Sequence, residues 1–241
     1  MSKIPRSPEE IFEEFAGDLK AAFADDLVSI ILYGSGAKGE YVYKKSDLNF
    51  LVILTESGIR NLAKAFDLVK KWSKRKVAVP LFVTREYIDS SLDSFPIEFL
   101  NMQKHHKLVY GEDVLTPLKI EHKNLRLQCE EQVKGKLLHL REEFLRTMGK
   151  KRHLEQLIGV TIPTFASLFT ALLALKNIEP PAKKSEILLK TAEEFALDRN
   201  VFDQVLAVRE KKTKMDRDGL IKLMESYIEE IRKLAMIVDK W

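Results

Sequence analysis

Hydrophobic positions recur along the chain with two periods, and the change from one to the other divides it. In the first half, short apolar runs alternate with amphipathic stretches. Residues 28–33 (VSIILY) and 47–54 (DLNFLVIL) are rich in apolar side chains and read as strands. The second run is apolar on both faces beyond its first polar residues, as expected of an interior strand. Residues 77–83 read as a third strand, placed at an edge or bulge by Pro80, whose nitrogen cannot donate to a ladder. Residues 96–102 (PIEFLNM) read as a fourth, ahead of Leu108 to Gly111. Helical spacing links Ile11, Phe12, Phe15, Leu19, Ala22 and Phe23. Ser7 is the expected N-cap of that helix, with Pro8 at its first position and Glu10 closing a capping box. Ile59, Leu62, Phe66, Val69 and Trp72 share one side of a helix over 57–74, and 84–91 reads as a short capped helix.

After Leu118 every strong pattern is helical. The expected helices cover 124–148, 153–176, 184–195, 201–211 and 218–240. Pro163 predicts a kink in the second, because its ring removes a donor and crowds the preceding turn. Pro180-Pro181 and Asp198-Arg199-Asn200 separate later helices. The expected architecture is α+β: a mixed-sheet domain over 1–118 followed by a helical bundle over 119–241.

Composition narrows the function classes. The 241 residues are 45% hydrophobic and 32% charged, as in a soluble globular protein. Forty basic against 36 acidic side chains leave a net charge of +4, a near-balance that argues against a dedicated nucleic-acid binder. The single cysteine, Cys129, excludes an intramolecular disulfide and a cysteine-rich zinc site, and reads as an apolar filler. The most apolar run, 158–175, lacks charge but contains Thr161, Pro163, Thr164, Ser167 and Thr170, and reads as a buried bundle helix rather than a membrane span. With no apolar core behind the basic residues at the N-terminus, a cytoplasmic protein is expected.

Candidate chemistry concentrates in 32–54, LYGSGAKGEYVYKKSDLNFLVIL. Gly34 and Gly36 let the backbone approach phosphate oxygens that a Cβ would obstruct. On a strand of period two, Asp47 and Asn49 point out of one face, and two oxygen-bearing side chains beside a glycine turn suit magnesium and a polyphosphate. Gly34-Ser35, then Gly39, then Ser46-Asp47-Leu48-Asn49 resembles the signature of the DNA polymerase β-like nucleotidyltransferase superfamily, nearest to the small antibiotic-modifying type similar to streptomycin and kanamycin nucleotidyltransferases. The resemblance covers about a tenth of the chain and departs from the pattern at Asn49, which stands where the family has a second Asp.

The resemblance implies transfer of a nucleoside monophosphate from a nucleoside triphosphate, ATP first among them, to the hydroxyl of a small-molecule acceptor held in a cleft between two domains. It implies Mg2+ held by Asp47 and Asn49, Gly34 and Ser35 on the phosphates, and a third carboxylate from a neighbouring strand acting as base. Glu98, between Ile97 and Phe99 in an apolar run, is the candidate base; the alternative is a salt bridge to a lysine or arginine from a helix. From the helical half, Arg209 and Lys212 of the basic cluster REKKTK are candidates for the phosphates, against a solvated helix end. If the missing charge at Asn49 cost about 3–4 kcal/mol, the rate would fall by roughly two to three powers of ten. A catalytically weak or inactive nucleotide-binding or regulatory protein is therefore the alternative, with a two-component toxin–antitoxin element third. His105-His106 on a strand point to opposite faces and read as surface residues rather than a metal pair. Membrane contact is not expected, and a homodimer stays open.

Overall fold

A computed structural model describes residues 3–241. The chain divides into two compact units, Met1–Ile120 and Glu121–Trp241. The first holds strands β1 (Leu27–Tyr33), β2 (Asn49–Leu54), β3 (Leu81–Val83) and β4 (His106–Gly111), with helices α1 (Phe12–Phe23), α2 (Glu56–Ile59), α3 (Phe66–Ser73), α4 (Arg85–Ser91) and α5 (Pro96–Lys104). The sheet order is β3-β2-β1-β4. β1 runs antiparallel to both β2 and β4, whereas β2 and β3 are parallel, so the sheet is mixed.

The side-chain alternation of the strands assigns each sheet face its own core. Ile30, Leu32, Phe50, Val52 and Leu54 pack against Phe15, Leu19 and Phe23 of α1 and Trp72 of α3. Phe15 lies 4.3 Å from Phe50 and meets Trp72 edge-on at 5.1 Å, ring centre to ring centre. The indole NH of Trp72 donates to Asp18 at 2.8 Å, which satisfies the one polar atom of that buried ring. On the other face Ile31, Leu51 and Ile53 pack against Ile88 of α4, Phe99 of α5, Val114 and Leu115.

Several sequence expectations for this unit are corrected. PIEFLNM is helix α5, not a strand: Pro96 opens it with its ready-made φ, and Ile97 and Phe99 are buried while Glu98 is exposed in the first turn. A short apolar run fits either period, and here the helix wins. The segment 57–74 is not one helix but α2, a 3-10 turn (Leu62–Ala65) and α3. Gly58 lies inside the short α2, where a Cβ would come within 2.9 Å of the Asp26 Cβ. Phe66 is 73% exposed rather than aligned with Trp72. Strand 77–83 shortens to Leu81–Val83 with one isolated parallel bridge, Leu48↔Val77, and it lies at the sheet edge, where Pro80 is tolerated. Glu10 accepts from the amide of Arg6 and Ser7 makes no side-chain cap, so the expected capping box does not form.

The second unit consists of α6 (His122–Arg146), α7 (Lys151–Leu175), α8 (Lys184–Glu194), α9 (Arg199–Arg209) and α10 (Arg217–Asp239). Helix α7 is long and apolar enough to cross a membrane, but 67% of its most apolar window is buried, as in a core helix. Its Phe165 and Phe169 stack at 5.4 Å, and Tyr227 of α10 meets Phe165 and Phe202 edge-on. Cys129 is buried, and desolvation pushes its thiol up to about 12, which keeps it an unreactive filler.

Candidate functional site

The end of the sheet where β1 leaves and β2 enters carries the polar residues. Tyr33 pairs with Asn49, so the Gly34–Gly36 turn that follows β1 sits beside the first residue of β2. Gly34 has φ +72, and a Cβ on it would come within 3.2 Å of the Asn49 side-chain nitrogen. Both the backbone angle and the close approach require glycine here. The carbonyl of Gly34 accepts from the amides of Ala37 and Lys38, each at 3.1 Å, and that of Ser35 from Glu40 at 3.0 Å. The turn is thus held rigid from below by its own backbone, while Ser35 remains half-buried.

Asp47 precedes β2 instead of opening it; the strand begins at Asn49. Its carboxylate is 56% exposed and lies 3.3 Å from the ammonium of Lys76. Backbone bonds hold Lys76 in this place: its carbonyl accepts from the Leu48 amide at 2.8 Å, and the Leu48 carbonyl accepts from Ala78 at 2.9 Å. Val77 also donates back to Trp72 at the end of α3, and Lys76 takes the left-handed conformation (φ +64) that such a helix exit demands. Sequence reasoning passed over Lys76. The only available signal was indirect: a strand starting at 77 and running parallel to 48–54 places residue 76 beside residue 47.

Asn49, Leu51 and Ile53 share the face packed by α4 and α5. A cavity of about 670 Å3 opens on that face, lined by Leu51, Tyr87, Phe99 and Met102, with Glu56 and Glu98 as the two charged residues of its lining. Glu98 therefore belongs to the same sheet face as Asn49, though it reaches it from α5. Arg209 and Lys212 lie in the second unit, Arg209 as the last residue of α9 and Lys212 paired with Glu210 at 2.5 Å. His106, expected at the surface, is instead largely covered: its Nε2 meets Asp113 at 3.2 Å and its Nδ1 the carbonyls of Met102 and Gln103.

No family model and no curated protein matches the chain. Among solved structures it is similar to the spectinomycin adenyltransferase AAD(9) from Enterococcus faecialis, determined with ATP and spectinomycin. The likeness spans 91% of this chain and 99% of that one, at 12% identity and a TM-score of 0.50. The chain has the nucleotidyltransferase fold.

Within this nucleotidyltransferase fold the donor set is short of carboxylates. None of the four strands, LVSIILY, NFLVIL, LFV and HKLVYG, contains an acid. The stretch from Lys76 to Val83, alongside β2, contains none either. Asp47 and Asn49 supply one charged and one neutral oxygen ligand, and no group of three or more His, Cys, Asp or Glu side chains suited to a metal occurs among the described residues. These residues do not fit the carboxylate-held Mg2+ site that the sequence resemblance implies.

Proposed function

We propose that the chain binds a nucleoside triphosphate, ATP by preference, at the Gly34–Ser35 turn and transfers its nucleoside monophosphate to the hydroxyl of a small-molecule acceptor. The observation that carries this reading is the packing of Gly34 against Asn49 beside Asp47, within a nucleotidyltransferase fold. In this reading the turn's backbone and the Ser35 hydroxyl hold the outer phosphates, and the half-buried turn positions them without side-chain rearrangement. The acceptor lies in the apolar cavity with its hydroxyl toward Glu98. Its oxygen attacks the α-phosphorus and the bond to pyrophosphate breaks. Pyrophosphate leaves with the electron pair and the Glu98 carboxylate takes the hydroxyl proton. Magnesium is the companion of the triphosphate rather than a resident of the protein, given the single carboxylate at 47. The protein is proposed as cytoplasmic, with 1–118 and 119–241 as its working domains.

A second reading, nucleotide binding without turnover, is favoured by the absence of any acid on the four strands. Calorimetry with ATP, paired with a pyrophosphate-release assay over a panel of small hydroxyl compounds, separates the two. Saturable binding with release supports transfer. Glu98→Gln is then expected to lower turnover by about two to four powers of ten with little change in ATP affinity. Binding without release across the panel selects the second reading, and no binding at all removes both.

A further inference from the structure

The two departures at this site, a neutral Asn49 and an ammonium on Asp47, act in the same electrostatic direction. A cluster of two or three carboxylates repels a triphosphate, so such a site depends on metal ions to bring the two together. Here the only carboxylate of the motif faces Lys76 at 3.3 Å, which leaves the pair neutral, and Asn49 adds no charge. The loop from Gly34 to Asn49 carries Lys38, Lys44 and Lys45 against Glu40 and Asp47, and Lys76 raises the balance to four positive against two negative groups. An ammonium has three donors, so Lys76 can keep one on Asp47 and direct the others to phosphate oxygens. It is also placed by backbone bonds to Leu48 rather than by a flexible loop alone.

We propose that Lys76 takes the place of a metal ion at this site, and that nucleoside triphosphate binds there without a divalent cation. The inference rests on the nucleotide-binding reading above and specifies its electrostatics. Lys76 is partly exposed (39%), open to a ligand arriving from solvent, and its main chain is bonded to Leu48, so that a turn of the side chain alone would carry the ammonium from carboxylate to phosphate.

The test is ATP binding to the full chain, measured calorimetrically with excess Mg2+ and again with EDTA. The expected result is that the two affinities agree within about threefold, because the protein supplies the neutralising charge itself. Lys76→Glu is expected to weaken binding in EDTA by about tenfold or more, and Lys76→Arg to stay within about threefold of wild type. Asn49→Asp, which leaves the ion pair in place, is expected to weaken binding in EDTA and to recover it when Mg2+ is added. Melting curves of each variant confirm that it is folded before binding is compared. Wild-type binding that saturates only with Mg2+ overturns the role of Lys76 while leaving nucleotide binding intact. Equal affinity of wild type and folded Lys76→Glu in EDTA overturns it as well. Absence of binding under both conditions overturns this inference together with the reading it rests on.

Discussion

The two faces of the sheet share the same strands yet are built for different purposes. On the face covered by α1 and α3, Phe50 and Phe15 stack at 4.3 Å and Trp72 closes the cluster with its indole NH satisfied by Asp18. Phe15, Phe50 and Trp72 are all essentially inaccessible to solvent. The opposite face is filled near Ile31 and Ile53 but opens toward Leu81, Tyr87 and Phe95, each nearly half exposed, around a cavity of about 670 Å3. One residue of register decides which side chain joins which face. Asn49 shares the open face and Phe50 the closed one. Stability thus resides mainly with the closed face, leaving the other free to carry polar groups and a ligand.

The largest expected effect belongs to the closed face. Phe50→Ala removes a fully buried ring between two aromatic neighbours and is expected to cost about 3–5 kcal/mol, read as a shift in the denaturation midpoint. A loss under about 1 kcal/mol would mean that this face relaxes freely, and the contrast between the faces would disappear.

Next comes the turn where the faces meet the polar end. Gly34→Ala places a side chain at φ +72 and a Cβ at 3.2 Å from the Asn49 amide. The strained backbone alone is expected to cost about 1–2 kcal/mol. The diagnostic partner is Gly39→Ala, whose φ of +77 is equally strained but which has nothing within 4 Å. If Gly34→Ala weakens ATP binding and Gly39→Ala destabilises without doing so, the close approach to Asn49 is what the nucleotide depends on. Equal effects on binding from both would assign the loss to backbone strain alone.

How much of this was legible in the sequence follows from which forces act locally. The five helices of the second unit have ends within a residue or two of those expected, because apolar residues recur at helical spacing along them. The short elements of the first unit were harder. PIEFLNM has too few residues to display a period, and the choice of helix was made by the space beside Leu51 and Ile53 that Phe99 fills. The close packing of Gly58 against Asp26, thirty-odd residues upstream, is likewise a contact that no local pattern records. The glycine turn and the Asp47–Asn49 pair were visible as a motif, since they are close in sequence as well as in space. Lys76 was not, because its position beside Asp47 comes from the parallel bridge between Leu48 and Val77, a tertiary event.

A smaller effect is expected at the rim beyond the open face, and it depends on pH. Asp113 accepts from the Leu115 amide, from the Thr116 amide and hydroxyl, and faces His106. Burial works to raise its pKa, but the Thr116 bonds, His106 and the Leu115 amide together hold it well below the ordinary 3.8. A carboxylate depressed on folding stabilises above its unfolded value, and that contribution fades as pH falls below 3.8 toward the folded value. Asp113→Asn is therefore expected to cost on the order of 1 kcal/mol at neutral pH, as for loss of a helix-capping carboxylate. The gap between variant and wild type should narrow progressively in acid melts below about pH 4. A gap that stays constant down to pH 2 would show that geometry rather than charge is what Asp113 contributes.

The smallest expected effect sharpens the comparison most. Tyr87 stands on α4 at the cavity mouth, 49% exposed, with its ring along the open face. Truncation to alanine removes little buried area and leaves no closed void, so the stability change is expected to stay within about 0.5 kcal/mol. If the cavity is the acceptor site, the same substitution should raise the acceptor KM while ATP affinity, set at the Gly34 turn, is unchanged. A residue that matters to the ligand and not to the fold is what an incompletely packed face should carry. If Tyr87→Ala instead destabilised the protein as Phe50→Ala does, the cavity would be part of the core, and the acceptor would have to be sought on another surface.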